Sequence, residues 1–306
     1  MNDVTLRQLR YLDALAQSLH FGRAAEQCSI SQPALSMQIQ ELERQIGAVL
    51  VERKRQGVHL TDEGEEIARR TARILSNVRD LVEYAQQRHR LLSGRLRLGV
   101  IPTIAPYLLP PLLSLSLLRA DYPNLELYLH ETQAQHLASD LVCGRLDVVL
   151  LALPVEHVDI ESVRLFADRF LLALPRSRRL PAKMLATPDL MLRYRLLLLD
   201  EGHCLREQTL NACKLRKTQN IDSFGASNLS TLVQMVAHGY GITLLPEISI
   251  DLESNRASLR LMRFRKPEPH RILVLAWRRS SPRKRDFNEL GKLIKGIHKR
   301  RHSRHE

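Results

Sequence analysis

The fold of the N-terminal region is decided by the stretch Ser29-Ile30-Ser31-Gln32-Pro33-Ala34-Leu35-Ser36. Ser31 is a favourable N-cap, and Pro33 falls in the first turn, where its missing N–H costs nothing. A helix is therefore predicted to begin here and to end at Gly47. A short helix that begins near Phe21 and ends near Cys28 precedes it. Two helices joined by a short turn form a helix-turn-helix.

The second helix begins with small hydrogen-bonding side chains and carries few charges, which suits the reading of base edges in a major groove. Residues 52–60 then predict a β-wing whose basic tip could reach phosphates. The predicted DNA contacts in this region are Phe21, Ala24, Ser31, Gln32, Pro33, Ala34, Ser36, Gln38, Arg53, Lys54 and Arg55.

The helix predicted after the wing carries a heptad seam, in which residues are spaced 4, 3, 4, 3 and 4 apart: Ile67, Thr71, Ile74, Val78, Leu81 and Ala85. A seam of this kind favours self-association. The alternative is a helix packed on its own domain, but no other apolar surface lies nearby in sequence. Residues 1–62 are thus predicted to form a winged helix-turn-helix DNA-binding domain, and residues 63–93 a linker helix through which two copies dimerise.

After residue 94, strands alternate with helices, a pattern typical of sheets with parallel strands. The predicted strands are 96–100, 125–130, 148–153, 170–174, 196–199, 241–245 and 271–277, and one helix is predicted after Pro110. The last strand and a final helix are predicted to return to the first of two lobes. We expect residues 94–168 and 270–306 to form lobe I, residues 169–269 to form lobe II, and a small-molecule cleft to lie between them.

The net charge of +13 suggests a polyanionic partner, but most of the excess lies at the C-terminus. Residues 278–306 carry 11 Lys and Arg against 3 Asp and Glu, whereas residues 1–92 carry 13 against 12. Charge alone therefore does not locate the DNA-binding module. The basic runs 283–285 and 299–302 are expected to be a solvated helix and a frayed tail, with a non-specific DNA contact as the alternative.

Composition excludes several classes of protein. No apolar run approaches the roughly 18 residues of a membrane span and the N-terminus has no signal-peptide core, so a cytoplasmic chain without membrane contact is expected. The four cysteines, Cys28, Cys143, Cys204 and Cys213, form neither a C-x-x-C motif nor a Cys/His cluster. We expect no disulfide scaffold, no metal and no cofactor.

Cys204 and Cys213 stand at the two ends of a segment that begins like a helix N-terminus. If it is helical, their Cα atoms are roughly 13 Å apart on opposite faces, whereas a disulfide requires about 7 Å or less. Either the two never pair, or pairing requires the segment to refold. Cys28 and Cys143 are expected to be small buried hydrophobic residues.

Residues 21–64 resemble the winged helix-turn-helix of the LysR-type transcriptional regulators. The resemblance rests on Ala24-Ala25, the stretch 31–36, Gly47, Glu52-Arg53 and Leu60-Thr61. It implies an N-terminal winged helix-turn-helix with a long dimerisation linker helix, then a two-lobed α/β periplasmic-binding-protein-like regulatory domain. It also implies double-stranded promoter DNA and RNA polymerase as partners, and homodimers that pair into a homotetramer.

Three motifs resemble the hydrogen-peroxide-sensing members of that family: residues 199–206 with Cys213, residues 101–110 around Thr103, and residues 241–246. The resemblance implies that Cys204 is the peroxidatic cysteine and Cys213 the resolving one. Their disulfide would be reversible, with glutaredoxin or thioredoxin as reductant. The implied peroxide pocket comprises Thr103, His203, Arg206, Glu207 (where relatives usually have Asp) and Thr132, which is predicted to replace a threonine missing at Ala134.

Some readings stay open at this point. A helix N-terminus and Arg206 are expected to depress the pKa of Cys204, and Thr103 is either a ligand or a cap. The segment 225–228 could hold an anion or merely cap a helix. The favoured function is a peroxide-responsive, non-enzymatic regulator. The alternatives are a regulator that binds an organic co-inducer, and a thiol peroxidase or reductase, which the helix-turn-helix argues against.

Overall fold

The computed structural model describes residues 4–54, 57–86, 91–113, 121–155, 157–178, 181, 184–212, 226–254 and 257–302. The chain divides into two compact units, Met1–His89 with Val142–Arg145 and Arg90–Leu141 with Leu146–Glu306. Across the described residues, none of the helices is both long and apolar enough to cross a membrane.

The first unit is a winged helix-turn-helix followed by a long helix. Its elements are α1 (Leu6–Ser18), α2 (Phe21–Gln27), α3 (Gln32–Ile46), β1 (Val51–Lys54), β2 (Gly57–Leu60) and α4 (Asp62–Gln86). The Ser31 hydroxyl accepts a hydrogen bond from the Ala34 N–H, Pro33 lies in the first turn, and Gly47 ends α3 with φ +79°. The predicted helix-turn-helix and wing are confirmed, because the signals that specify them are local.

One carboxylate joins the second helix of this motif to the wing. Glu43 Oε1 accepts hydrogen bonds from the Leu50 N–H (2.8 Å) and the Val51 N–H (3.1 Å). Beneath it lies a core in which Leu12, Leu15, Leu35, Leu42 and Leu50 have no exposed surface. The helix α3 and the hairpin β1–β2 are therefore attached both to each other and to one core.

The heptad seam of α4 divides into two parts. Ile67 packs against the core of the first unit and Thr71 is buried. This part of the seam therefore packs within its own domain, which was the alternative to dimerisation. Further along, Ile74 and Leu81 are 45% and 68% exposed. The second part of the seam is thus an uncovered apolar face in the single chain.

The second unit is an α/β structure. Its strands are β3 (Gly94–Val100), β4 (Leu125–Glu131), β5 (Val148–Ala152), β6 (Ile160–Pro175), β7 (Thr243–Pro246), β8 (Leu259–Met262) and β9 (His270–Arg278). Its helices are α5 (Ala105–Leu113), α6 (Ala134–Val142), α7 (Pro188–Leu192), α8 (Cys204–Ala212), α9 (Leu229–Ala237), α10 (Ile250–Ser254) and α11 (Lys284–His302), with a 3₁₀ turn at Glu247–Ser249. The strand order is β4-β3-β5-β9-β6-β7, with β8 beside β6.

The prediction of parallel sheets is only partly right. β3 pairs in parallel with β4 and β5, but β9 runs antiparallel to β5 and β6, and β7 and β8 run antiparallel to β6. β6 is long enough to take part in most of these antiparallel pairs: its first part pairs with β9 and its last part, from Phe170, pairs with β7 and β8. The strand predicted to return to the first lobe is β9, and it pairs with β5.

Several local predictions are wrong, among them the strand 196–199, where only isolated bridges form at Leu196 and Leu199. The helix expected after Pro110 begins at Ala105 and contains Pro110, because burial of Tyr107, Leu108 and Leu112 outweighs the lost backbone hydrogen bond. Arg283 is not solvated but buried, and it donates to Asp286 and to the Ser93 carbonyl.

The expected frayed tail is corrected as well. Arg301 lies in the last turns of α11 and donates to the Tyr107 carbonyl (2.8 Å) and to the Asp251 carboxylate (3.0 Å). These contacts anchor the end of α11, so Arg301 serves the packing of the second unit, whereas Lys299 and Arg300 are exposed as expected.

Replacement of two helical glycines by alanine should change the free energy of unfolding in opposite directions. A Cβ on Gly64 would overlap the backbone carbonyl of Leu50, whereas the nearest atom to a Cβ on Gly296 is 4.0 Å away. Gly64→Ala should lower the free energy of unfolding by about 1–3 kcal/mol. Gly296→Ala should raise it by about 0.5–1 kcal/mol. Urea unfolding followed by circular dichroism measures both, and stabilisation by Gly64→Ala would contradict the packing of α4 on the wing.

Candidate functional site

The candidate site lies in the second unit, where α8 begins. Cys204 is the first residue of α8, half-buried and free. The turn before it requires a glycine, because Gly202 has φ +88° and a Cβ there would lie 2.5 Å from Gln133 Oε1. The turn therefore comes close to the junction between β4 and α6, so that the segment 132–134 and the start of α8 lie at one place.

A buried cation lies at the same site. Arg271 donates from Nη1 to the Thr103 hydroxyl (2.8 Å) and from Nη2 to the Thr103 carbonyl (3.0 Å). Its Nε donates to Asp168 Oδ2 (2.9 Å), and the other carboxylate oxygen accepts from the Ile248 N–H (3.1 Å). The Thr103 side chain is thus held by a guanidinium and does not cap α5.

The reactivity of Cys204 depends on two opposed effects. Burial raises the pKa of the Cys204 thiol, while the Arg271 charge and the backbone N–H groups of Cys204 and Leu205 act to lower that pKa. Burial prevails, so the expectation of a depressed pKa is wrong for this conformation. The thiolate is a minor species at neutral pH, and every charge that favours it matters for the reaction.

The cation that acts on the thiol is also not the one predicted. Arg206 turns its guanidinium to the Leu199 carbonyl (Nη1 to O, 3.0 Å), where it stabilises the turn before α8. Arg271 takes the role expected of Arg206. It was missed because it is distant in sequence, although a basic residue directly before the apolar run 272–277 of β9 is a signal: charged groups are rarely buried unless they are paired.

The other predicted pocket residues are placed as follows. His203 is buried, and burial lowers its pKa although the Asp200 carboxylate opposes this, so the imidazole is neutral at pH 7. Thr132 is half-buried and donates its N–H to the Val100 carbonyl (3.3 Å). Glu207 lies in the first turn of α8 but is exposed, so its side chain faces solvent and not the buried cluster.

The remaining cysteines have different surroundings. Cys143 is buried, as expected, and Cys28 is half-buried, with a pKa raised by burial and by the Asp13 charge. Cys213 lies outside the described residues. In the part of the chain that the structure describes, no group of three or more His, Cys, Asp or Glu side chains could hold a metal ion.

The predicted DNA contacts fall into three groups. The first group lies in and just before the first half of α3: Ser31, Gln32 and Pro33 are exposed, and Ala34, Ser36 and Gln38 are half-buried. Lys54 of the wing is also exposed and pairs with Glu52 (2.9 Å). Phe21 and Ala24 are wrong as side-chain contacts, because both are buried in the core and hold α2 in place. The side chain of Arg53, and the whole of Arg55, are outside the described part.

The segment before α9 was predicted either to cap this helix or to hold an anion, and the structure shows a cap. Asn228 is the N-cap of α9, and its side-chain oxygen accepts a hydrogen bond from the Thr231 N–H (2.8 Å). Gly225 lies outside the described residues. The cap explains Asn228 without a bound anion.

Family comparisons match almost the whole chain. Residues 6–65 match the bacterial regulatory helix-turn-helix proteins of the lysR family, and residues 89–296 match the LysR substrate binding domain. The chain belongs to the LysR family. Its regulatory domain contains the Cys204 thiol, on which the charge of the buried Arg271 acts.

Individual relatives show which members of the LysR family this chain is similar to. The chain is 40% identical over 293 residues to a probable hydrogen peroxide-inducible genes activator of Streptomyces viridosporus, covering 95% of this chain and 93% of the relative. It is similar to a full-length OxyR variant of Pseudomonas aeruginosa (35% identity, TM-score 0.80, 95% and 94% coverage). It is also similar to a hydrogen-peroxide-bound OxyR variant of Corynebacterium glutamicum (32% identity, TM-score 0.65, 97% and 94% coverage).

Removal of the Arg271 charge should suppress Cys204 reactivity. Because Arg271 lowers the pKa of the thiol, Arg271→Gln should raise that pKa and slow alkylation of Cys204 by iodoacetamide at pH 7 by about threefold to tenfold. In the wild type, alkylation should keep accelerating as the pH rises above about 8, because burial raises the pKa. Mass spectrometry resolves Cys204 from the other cysteines.

Arg206→Gln is the matched control for this experiment. It removes the same charge from a residue that donates to the Leu199 carbonyl, so it should change the alkylation rate less than about twofold. A larger effect from Arg206→Gln than from Arg271→Gln would restore the original assignment of the cation.

Proposed function

We propose that this chain is a hydrogen-peroxide-sensing DNA-binding transcriptional regulator of the oxidative-stress response. The observation that carries the proposal is the half-buried Cys204 thiol at the start of α8, subject to the charge of Arg271, which also holds Thr103. Similarity to peroxide-inducible activators and to OxyR structures supports it. The winged helix-turn-helix supplies the DNA-reading surface.

The chemistry begins with the thiolate of Cys204. It attacks one oxygen of hydrogen peroxide, the O–O bond breaks, and the product is a sulfenic acid with a hydroxide that takes up a proton to become water. We propose that the Thr103 hydroxyl, which accepts a hydrogen bond from Arg271, and the neutral imidazole of His203 hold the peroxide. Arg271 favours the charged nucleophile over the thiol.

The second step joins Cys204 to Cys213. The Cys213 thiol attacks the sulfenic sulfur, water leaves and a disulfide forms. A dithiol reductant such as glutaredoxin or thioredoxin then restores both thiols by supplying two electrons and two protons. Neither the resolving role of Cys213 nor the reductant is visible in the described residues, and both are part of the proposal.

The structure of α8 makes this step a conformational switch. The helix runs from Cys204 to Ala212, a rise of about 12 Å. One further residue reaches only about 3.8 Å, so the next Cα stays at least about 8 Å from that of Cys204 while α8 is intact. A disulfide requires about 7 Å or less. Under this proposal, oxidation unwinds part of α8, the helix that carries the buried Leu205 and Thr209.

The DNA-bound form is proposed to be an oligomer. The uncovered part of the α4 seam, with Ile74 and Leu81 exposed, supports dimerisation through the linker helix, and family resemblance suggests that two dimers pair into a tetramer. Promoter DNA is the target and RNA polymerase the expected partner. Such a regulator acts in the cytoplasm and does not turn over a substrate.

A second candidate function has one observation in its favour. An open cavity of about 890 Å³ adjoins Arg271 and is lined also by Gln208, Asn211, Leu153 and Pro154. Among the described residues the buried Gln208 Oε1 has no hydrogen-bond partner, although its Nε2 donates to the Leu153 carbonyl (3.1 Å). A regulator that binds an organic co-inducer in this cavity is the alternative.

Stoichiometric hydrogen peroxide should convert the protein to an intramolecular Cys204–Cys213 disulfide that dithiothreitol reverses. Cys213→Ser should stop at a Cys204 sulfenic acid, because the second thiol is missing, and dimedone should trap it. Peptide mapping by mass spectrometry measures both products. Cys143→Ser is the control and should leave the disulfide unchanged.

Several outcomes would contradict the peroxide function. Free thiols after peroxide treatment, or Cys204 joined to Cys143, would exclude the proposed switch. If peroxide leaves promoter binding unchanged in footprinting while an organic compound alters it, the co-inducer function takes its place. Sustained peroxide turnover with a thiol reductant would indicate an enzyme.

The exposed start of α3 should carry sequence recognition. Gln32→Ala should weaken binding to the specific promoter by about 1–3 kcal/mol and change non-specific binding little, because base contacts carry sequence information. Gln17→Ala, which alters an exposed glutamine of α1 bonded to Asp13, is the control and should change neither. Fluorescence anisotropy with both DNAs measures the affinities, and equal losses on both DNAs would contradict the placement.

A further inference from the structure

Asp168 stands where the chain passes between the two sets of strands in the second unit. It lies opposite Arg271 in the β6–β9 register, near the point where β6 leaves β9 and pairs with β7 and β8. The side chains of both residues have no exposed surface. A guanidinium and its carboxyl partner are thus enclosed beside the candidate site.

The bonds of Asp168 determine the orientation of its partner. One carboxylate oxygen accepts from Arg271 Nε (2.9 Å) and the other from the Ile248 N–H (3.1 Å). The guanidinium is planar, so holding Nε fixes the directions of Nη1 and Nη2 as well. Those two nitrogens donate to the hydroxyl and the carbonyl of Thr103. The carboxylate, the guanidinium and the threonine form one chain of hydrogen bonds.

The pairing of β6 with β9 does not by itself explain why Asp168 and Arg271 are buried together. Ladder pairing already joins β6 to β9 on both sides of Asp168, and a buried ion pair adds little to stability compared with apolar residues of the same size. What the pair does provide is a fixed cation that acts on the Cys204 thiol. Another nearby carboxylate, Glu247, pairs with Arg263 (3.4 Å) and leaves Asp168 as the direct partner of Arg271.

We propose that Asp168 is a positioning residue of the peroxide site: it fixes the plane of the Arg271 guanidinium, and Arg271 in turn orients Thr103 and directs its charge at Cys204. This inference rests on the peroxide-sensing function proposed above. Asp168 touches neither the thiol nor the peroxide in this scheme. Its effect on the reaction passes through Arg271 alone.

A double-mutant cycle in the full-length chain carrying Cys213→Ser tests this. Asp168→Asn removes the negative charge and leaves one acceptor oxygen for two donors, Arg271 Nε and the Ile248 N–H, so the guanidinium is held less firmly. The rate constant of dimedone-trapped Cys204 oxidation should fall about tenfold, and the pH midpoint of Cys204 alkylation should rise, because the Arg271 charge is no longer held toward the thiol. Arg271→Lys should slow oxidation similarly. Adding Asp168→Asn to Arg271→Lys should then cost less than about twofold more, because the two act through one group.

The controls separate positioning from loss of structure. Asp286→Asn breaks the buried pair with Arg283 (2.8 Å) elsewhere in the second unit and should leave the oxidation rate constant unchanged. Asp168→Glu keeps the charge, moves it by one methylene, and should slow oxidation less than Asp168→Asn. If Asp168→Asn does not fold, a reduced rate in Asp168→Glu with an unchanged melting temperature supports the proposal, and a wild-type rate overturns it.

The two proposals fail in different ways. A wild-type rate in Asp168→Asn, or fully multiplicative effects in the double mutant, would overturn the positioning role while leaving peroxide sensing intact. If Cys204 of the chain with native Asp168 does not react with peroxide at all, the proposed function itself fails.

Discussion

A guanidinium removed from water is the constraint on which the candidate site depends. Arg271 is fully buried, so its charge and its N–H groups must be matched by protein atoms, and Asp168 and Thr103 provide them. These three residues come from β6, from the segment after β3 and from β9. The strand order that places β9 between β5 and β6 therefore also decides which side chains meet near Cys204.

The thiol and the helix that begins with it cannot be considered separately. Burial disfavours the thiolate, and the charge of Arg271 and the backbone N–H groups at the start of α8 favour it, so the same local structure sets both the reactivity of Cys204 and the stability of the helix. In the proposed function, oxidation of Cys204 and unwinding of α8 are consecutive steps, because a disulfide requires Cα atoms within about 7 Å. A small oxidant can then be converted into a change of backbone structure.

The sequence was most informative where the determining signals are local. Ser31, Pro33 and Gly47 define the ends of α3 by their own chemistry, and Gly202-His203-Cys204 marks the start of α8. It was least informative about Arg271, which lies 168 residues from Thr103 and 103 from Asp168. Arg206, two positions from the thiol, was the natural choice from proximity, yet helix geometry carries it to the Leu199 carbonyl. The antiparallel part of the sheet was missed for a similar reason, since the span of β6 depends on partners far along the chain.

The carboxylate of Glu43 has a consequence for how a signal could reach DNA. By accepting from Leu50 and Val51, it ties the helix that reads bases to the hairpin that follows it, and the shared core prevents either from moving alone. A recognition helix and a hairpin held together in this way are expected to move as one rigid body. In an assembly of several copies, what can vary is the distance and angle between these bodies. The redox signal would then act by changing the spacing between DNA-binding domains of constant shape. That spacing would select the promoter sequence to which they bind.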